Sequence, residues 1–355
     1  MAANAPVRGC GRLSLEHLTY RRWGTALAST TTHRGRTAAI IVAALVVVSL
    51  AAVWIVTSVL PGLGQRNPFT DQSLYVYPES SAAIAARSET GDAAAAAATI
   101  AQTPAALWLL PEVHATADIA AFVDGVALDA EAAGTMPVFV VYGIPERDCN
   151  NQSAGGLSAE EYPAWVSAIG AGLVSHSSIV ILEPDALALA QECGNVDERI
   201  EQLKDAASRL AEADIMLGAD GPSIYLDAGH SNWGKAADMA SLLQRAGVDK
   251  VQGFATNVSN FNTTDDERAW DEQVSDLVGG AHYIIDTSRN GNGSNGDWCN
   301  PPGRALGDAP TAIDDGTAHD ANLWIKNPGE SDGACNGAPA AGSWWDAGAL
   351  ALVNG

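Results

Sequence analysis

Acidic residues recur where apolar runs end in this chain. Val140-Val141-Tyr142 leads into Gly143-Ile144-Pro145-Glu146-Arg147-Asp148, and Ile179–Leu182 leads into Glu183-Pro184-Asp185. Ile224-Tyr225-Leu226 leads into Asp227-Ala228-Gly229-His230, Tyr283-Ile284-Ile285 into Asp286-Thr287-Ser288-Arg289, and Trp324-Ile325-Lys326 into a loop holding Glu330 and Asp332. Carboxylates beside a core are costly unless paired or put to use. One such acid alone reads as a helix cap or a surface charge. Several together, if brought to one place, can hold two carboxyl groups in different protonation states. Burial and a neighbouring anion raise the pKa of one, and the other stays ionised. That division of labour is what glycoside hydrolysis needs. Trp108, Trp233 and Trp298 lie near the same run ends and are candidates to stack on sugar faces, although packing accounts equally well for each tryptophan singly.

The elements that would position these residues alternate. Apolar runs of strand length occupy Ala105–Leu110, Pro137–Tyr142, Ser178–Leu182, Ser223–Leu226, Val251–Ala255, His282–Ile285 and Asn322–Ile325. Amphipathic runs of helix length occupy Ala117–Ala133, Ser158–Val174, Asp197–Ala213, Ser231–Ala246 and Asp265–Val278, with an Ala-rich helical stretch at Leu74–Ile100 broken at Gly91 and a closing one at Trp344–Val353. Continuous apolar strands separated by helices predict parallel strands buried on both faces. Seven such strands predict an α/β fold, a barrel of the β/α type or an incomplete one. In a barrel the strand C-termini share one face, where active sites form. Glu183 and Asp185 are accordingly expected at the rim of a pocket and not inside the core.

Bulk composition narrows the substrate. The 355 residues carry a formal net charge of −23, with only 17% charged side chains. Nucleic-acid binding needs clustered Lys and Arg, so no nucleic-acid partner is expected. The seven His are dispersed, H-E-x-x-H and G-x-S-x-G are absent, and Gly291–Gly296 matches G-x-G-x-x-G but runs into a Pro-rich segment that cannot open a helix. No metal or cofactor is expected. The sequons at Asn151, Asn257, Asn262 and Asn292 are short enough to arise by chance.

The N-terminus differs in character. Residues 1–36 hold six of the 19 basic residues and a single acid, Glu16. Ala38–Leu60 is 23 uncharged residues, which as a helix would span ~34 Å, enough for a bilayer core. Basic residues before it place the N-terminus inside. The expected organisation is a cytoplasmic basic tail at 1–37, a transmembrane signal anchor at 38–60, a linker at 61–73 and a catalytic domain at 74–355 outside the cell. Removal of the segment as a long signal peptide, giving a secreted protein, is the alternative. Cys10 would remain inside. Cys149, Cys193, Cys299 and Cys335 would be exported and can pair in three ways.

Taken as a set, the blocks VVYGIPERDC (Val140–Cys149), ILEPDALAL (Ile181–Leu189), YLDAGHSNW (Tyr225–Trp233), ATNVSNF (Ala255–Phe261), IDTSRNGNG (Ile285–Gly293), DWCNPPGRALG (Asp297–Gly307) and WIKNPGESDG (Trp324–Gly333) resemble glycoside hydrolase family 6, the inverting cellulases. The resemblance runs from about Asn67 to Gly355 and implies a distorted seven-stranded parallel β/α barrel. It implies Asp185 as general acid, Asp148 as the acid that raises its pKa and orders the attacking water, Asp332 as base, Asp227 as a fourth acid near the reacting sugar, and Tyr142 as a residue that helps distort it. It also implies substrate contacts at Trp108, His230, Trp233, Asn257, Trp298, Lys326 and Glu330, and the pairs Cys149–Cys193 and Cys299–Cys335. Gly143 departs from the Asp or Asn of the pattern, and Ala154 stands where a Ser often holds the water, with Ser153 adjacent. Processive members resemble a tunnel made by long loops around the base. Asp332–Cys335 is short here, so the expected activity is an endo-acting, inverting β-1,4-glucanase on cellulose-like glucan. A cellobiohydrolase and an inactive glycan-binding relative are the alternatives. A monomer is expected.

Overall fold

The computed structural model describes residues 65–215 and 221–355; the basic tail, the apolar segment 38–60 and the first four residues of the 61–73 linker expected above lie outside the described residues. Among the described residues no helix is long and apolar enough to cross a membrane.

Seven strands run parallel in one sheet: β2 (Leu107–Leu109), β4 (Val138–Val141), β5 (Ser178–Leu182), β6 (Pro222–Asp227), β7 (Gly253–Thr256), β8 (His282–Asp286) and β10 (His319–Leu323). They neighbour one another in that order, and a two-residue antiparallel strand, β9 (Thr311–Ala312), flanks β10. A separate parallel pair joins β1 (Ser73–Leu74) to β3 (Thr135–Met136). The apolar runs of the sequence overlap the first six parallel strands; the last run, Asn322–Ile325, meets β10 only at Asn322 and Leu323, because β10 opens on buried polar residues, His319 and Asp320, the latter bonded to Tyr225 and His282. Alternation along the strands explains why the runs are apolar on both faces. Val138, Val140, Ile179, Ile181, Tyr225, Ala255, Ile284 and Leu323 point into one buried cluster inside the curl. Phe139, Val141, Val180, Leu182, Leu226, Phe254, Tyr283 and Ile285 point into a second one under the helices. A strand buried on both faces has no polar side to spare.

The helices that clad the outside are α3 (Ile119–Ala132), α4 (Tyr162–Gly172), α6 (Val196–Ile215), α7 (Ala236–Ala246) and α8 (Thr264–Leu277). Before them, α1 (Ser81–Ser88) and α2 (Gly91–Ala101) replace the single Ala-rich stretch. Gly91 adopts φ +62° between them, a left-handed conformation that costs glycine little. The C-terminal α9 (Asp346–Asn354) packs beside α2. One helix escaped the sequence reading: α5 (Ala186–Cys193), only eight residues long and starting directly after Asp185.

The two ends of the curled sheet approach each other. The Ala106 N–H donates to the Trp324 carbonyl (2.9 Å), and the Trp108 indole N–H donates to the Ile325 carbonyl (2.8 Å). The result is an α/β barrel-like fold whose seam lies between the first and last parallel strands. The C-termini of all seven strands open on one side, where the acidic loops lie.

Candidate active site

A cleft of about 1080 Å³ lies over those strand ends. Its lining includes Trp108, Tyr142, Asp148, Asp185, His230, Trp233, Trp298, Lys326, Glu330 and Asp332. Two of the expected site residues do not reach it. Asn257 is fully buried, its amide donating to the carbonyls of Asn262 and Asp286 and its Oδ1 accepting the Asn262 N–H. Asp227 is buried behind Asp185: its Oδ1 accepts the backbone N–H of Asp185 (2.8 Å) and of Gly229 (3.0 Å), while Oδ2 has no hydrogen-bond partner.

Asp185 sits at the N-terminus of α5, but its carboxylate makes no capping bond to that helix. The cap explanation therefore fails, and the side chain is left to the cleft. Burial and then the charge of Asp148 push its pKa up to about 7. Asp227 is raised well above the carboxylate range as well, by burial first and by Asp185 second.

Glu183 corrects an expectation. It is not at the rim: it has no exposed surface, and its carboxylate accepts the N–H groups of Gly143 (2.9 Å) and Ile144 (3.1 Å) and the hydroxyl of Tyr162 (2.9 Å). Burial raises its pKa to about 7. Only Pro184 separates Glu183 from Asp185, and both acids have positive φ, 52° and 68°. That reversed backbone sends one acid down into the packing and the other up into the cleft. Gly143, the departure noted in the sequence, also has a steric reason: a Cβ there would approach the Trp165 ring to 2.7 Å.

Asp148 lies in a tight turn in which Glu146, Asp148 and Cys149 all have positive φ. Non-glycine residues in that region are strained, and strain of this kind gathers at functional sites. Three groups hold the turn. Arg147, buried, donates to the carbonyls of Tyr142 and Ser153 and pairs with Glu112, and its guanidinium lies 4.6 Å from the Tyr142 ring centroid. Ser153 donates through N–H (2.8 Å) and Oγ (2.9 Å) to Asp148 Oδ2, and shares a 2.9 Å hydrogen bond with the Tyr142 hydroxyl. Ser153, adjacent to Ala154, thus bridges Asp148 and Tyr142. Third, a disulfide joins Cys149 to Cys193 at the far end of α5. The turn carrying Asp148 and the helix started by Asp185 are covalently one unit.

Asp332 is held differently. Arg289 Nη1 lies 2.8 and 2.9 Å from its two oxygens, and the Asn300 N–H donates to Oδ2 (3.0 Å). Arg289 in turn lies 4.4 Å from the Phe261 ring centroid. Cys299–Cys335 ties the two loops together, and the Ala334 N–H donates to the Gln152 side chain, so the Asp332 loop touches the Asp148 loop. Arg289 and Arg147 were missed as site residues by sequence reasoning. An Arg-Asp pair adjoining the DC of VVYGIPERDC, and an Arg in IDTSRNGNG, were the signals available.

The aromatic lining is spread along the cleft. Trp108 meets Tyr142 edge-on at 5.1 Å, with Lys326 Nζ 5.9 Å from its centroid. His230 and Trp233 lie together at 5.1 Å, and Trp298 is 55% exposed. Burial lowers the His230 pKa to about 4, so the ring is neutral at ordinary pH. Among the described residues no group of three or more His, Cys, Asp or Glu is placed to hold a metal ion.

A barrel-like α/β fold with a strand-end cleft, two carboxyls side by side and tryptophans along the walls is the frame of a polysaccharide hydrolase. The chain belongs to the Glycosyl hydrolases family 6, whose sequence model matches residues 69–355. It is 44% identical over 289 residues to Endoglucanase A of Cellulomonas fimi, covering 81% of this chain and 62% of that protein. Endoglucanase 1 of Streptomyces halstedii is 36% identical over 299 residues, covering 81% and 90% respectively. Among solved structures, the endoglucanase Cel6 from Mycobacterium tuberculosis, in complex with a thio-linked cellobioside, superposes with a TM-score of 0.76 at 41% identity, covering 81% of this chain and 99% of that one. The chain thus spans under two thirds of the length of the Cellulomonas fimi relative.

Proposed function

We propose that this chain is an endo-acting, inverting β-1,4-glucanase, with Asp185 as the general acid. The observation that carries the reading is the pair Asp185 and Asp148: a carboxyl kept protonated near neutrality by burial and a neighbouring anion, facing a cleft walled by tryptophans. Asp185 would donate its proton to the glycosidic oxygen as the C1–O bond breaks. A water on the opposite face of the sugar would form the new C1–O bond and give up its proton, so the anomeric configuration inverts. Asp148 and Ser153 are placed to order that water, and Asp332 is the base its proton would reach. Tyr142, packed on Trp108 and bonded to Ser153, would press on the ring undergoing distortion. Trp108, Trp233, Trp298, His230, Lys326 and Glu330 would bind the flanking glucosyl units.

Two features favour internal cleavage. The Asp332–Cys335 segment is short, and the exposed Gln152–Ala334 hydrogen bond is the kind of single contact that opens for about 1 kcal/mol. The experiment is hydrolysis of a soluble cellulose derivative, followed by both viscosity and reducing ends, with the product anomer read by NMR. The reading expects viscosity to fall well ahead of reducing-end release and the α-anomer to appear first. Asp185→Asn should lose at least about a hundredfold in kcat. A wild-type rate in that variant, or the β-anomer as first product, rejects the assignment. For the whole chain, the reading adds a membrane anchor at 38–60, supported by its length and the basic residues before it. Carbonate extraction checks it: the full chain should stay with the membrane pellet.

A further inference from the structure

Glu267 is a buried carboxylate near the start of α8, and no ion pair among the described residues includes it. Its Oε1 instead collects three donors: the Ser231 N–H (3.0 Å), the Ser231 hydroxyl (2.6 Å) and the Asn262 amide (2.8 Å). A carboxylate only accepts, so the group of Asn262 that faces it must be the NH2. The other end agrees, since Asn262 Oδ1 accepts from the Asn232 side chain (2.9 Å). The second N–H of the Asn262 amide then points at His230 Nδ1 (3.1 Å), with the Ser231 hydroxyl oxygen a longer contact of the same nitrogen (3.3 Å). The Asn232 backbone N–H also approaches Nδ1 (3.2 Å), and a backbone N–H cannot be reversed. Nδ1 therefore accepts, and the ring proton resides on Nε2, for which no protein partner exists among the described residues. His230 forms part of the cleft wall beside Trp233.

We infer that Glu267 is a positioning residue: through Asn262 it holds His230 as the Nε2–H tautomer, so that the cleft presents a fixed hydrogen-bond donor to a glucan hydroxyl. The inference rests on the glucanase reading for the identity of the ligand, but not for the tautomer. Without Glu267 the Asn262 amide loses its carboxylate acceptor and is free to turn over. Its oxygen would then face Nδ1 and compete there with the Asn232 N–H, so that part of the population takes the Nδ1–H form and leaves Nε2 as a bare acceptor. The charge of Glu267 is not what matters; an acceptor oxygen at that place is. Because the ring stays neutral, tautomer and not protonation is what the network selects.

The test uses the full chain in detergent, labelled with 15N-histidine, with the His230 signals assigned by their loss in His230→Gln. Wild type and Glu267→Gln should both show the Nε2–H pattern, since the amide oxygen can take the place of Oε1. Glu267→Ala should show a substantial Nδ1–H fraction, and its KM for a cello-oligosaccharide should rise about tenfold with kcat within about twofold. Retention of both the pure Nε2–H pattern and the wild-type KM in Glu267→Ala overturns the inference. Should that variant not fold, Asn262→Asp takes its place: it puts an oxygen where the amide nitrogen faces Nδ1, so the same Nδ1–H fraction and KM rise are expected, with the same overturning result. A wild type that cleaves no glucan would sink the glucanase reading, while the NMR spectra would still decide the role of Glu267.

Discussion

At the scale of single residues, the centre of the protein is a proton kept in place. Asp185 has its pKa pushed to about 7, first by burial and then by Asp148. A general acid works only while protonated, so activity should fall as pH rises through about 7, and kcat/KM reports this limb for the free enzyme. Asp148→Asn removes the neighbouring anion and leaves burial in place. The alkaline limb should then move to lower pH, with most activity lost at pH 7 and a smaller loss at pH 5. A pH profile of kcat/KM checks it, and an alkaline limb unmoved in Asp148→Asn shows that Asp148 does not set the acid. Glu183 makes the complementary point. It is two residues from Asp185 and of the same chemistry, yet its carboxylate is consumed by Gly143, Ile144 and Tyr162. Acid type and run-end position did not separate the two; the tertiary neighbours that meet each carboxylate did.

At the scale of elements, the site is assembled from loops that are pinned at their far ends. Cys149–Cys193, 44 positions apart, closes a loop that holds Asp185 and begins directly after Asp148. Chain-entropy arguments put such a link at about 4 kcal/mol. Replacing both cysteines by serine should lower the denaturant midpoint accordingly. It should also shift the alkaline limb toward acid, because Asp148 is then free to drift from Asp185. A loss of stability with an unchanged pH profile would show that the link serves the fold alone. Helix α5, which this disulfide terminates, was not read from the sequence: eight residues after a proline carry too short a period to distinguish helix from loop. Six of the parallel strands were legible because strands buried on both faces are largely apolar, and the five cladding helices because each keeps a one-sided apolar pattern; β10 was read three residues late because its first half is the buried polar pair His319 and Asp320.

At the scale of the whole molecule, charge matters. Beyond residue 36 the chain has 41 acidic and 13 basic residues. An anionic polymer such as carboxymethylcellulose must approach against that field, whereas a neutral glucan is indifferent to it. Raising ionic strength from about 0.01 to about 0.15 M should lower KM for carboxymethylcellulose by about twofold or more and leave KM for hydroxyethylcellulose unchanged. Equal salt responses for the two polymers would place the acidic residues away from the path of the substrate.

Sequence by itself determined which elements form and which side chains are candidates. Periodicity is a local property, and an acid at the end of an apolar run can be recognised without knowing its neighbours. It also carried the family blocks and, through them, the pairing of the four cysteines seen in the structure. Only the tertiary structure decided which acids reach the cleft. It put Asp185 there and Glu183 in the packing, brought Arg289 to Asp332, and withdrew Asn257 and Asp227 behind the surface. The reason is physical: a carboxyl's protonation and availability depend on burial and on charges a few ångströms away, and those neighbours come from residues tens to hundreds of positions distant in the chain.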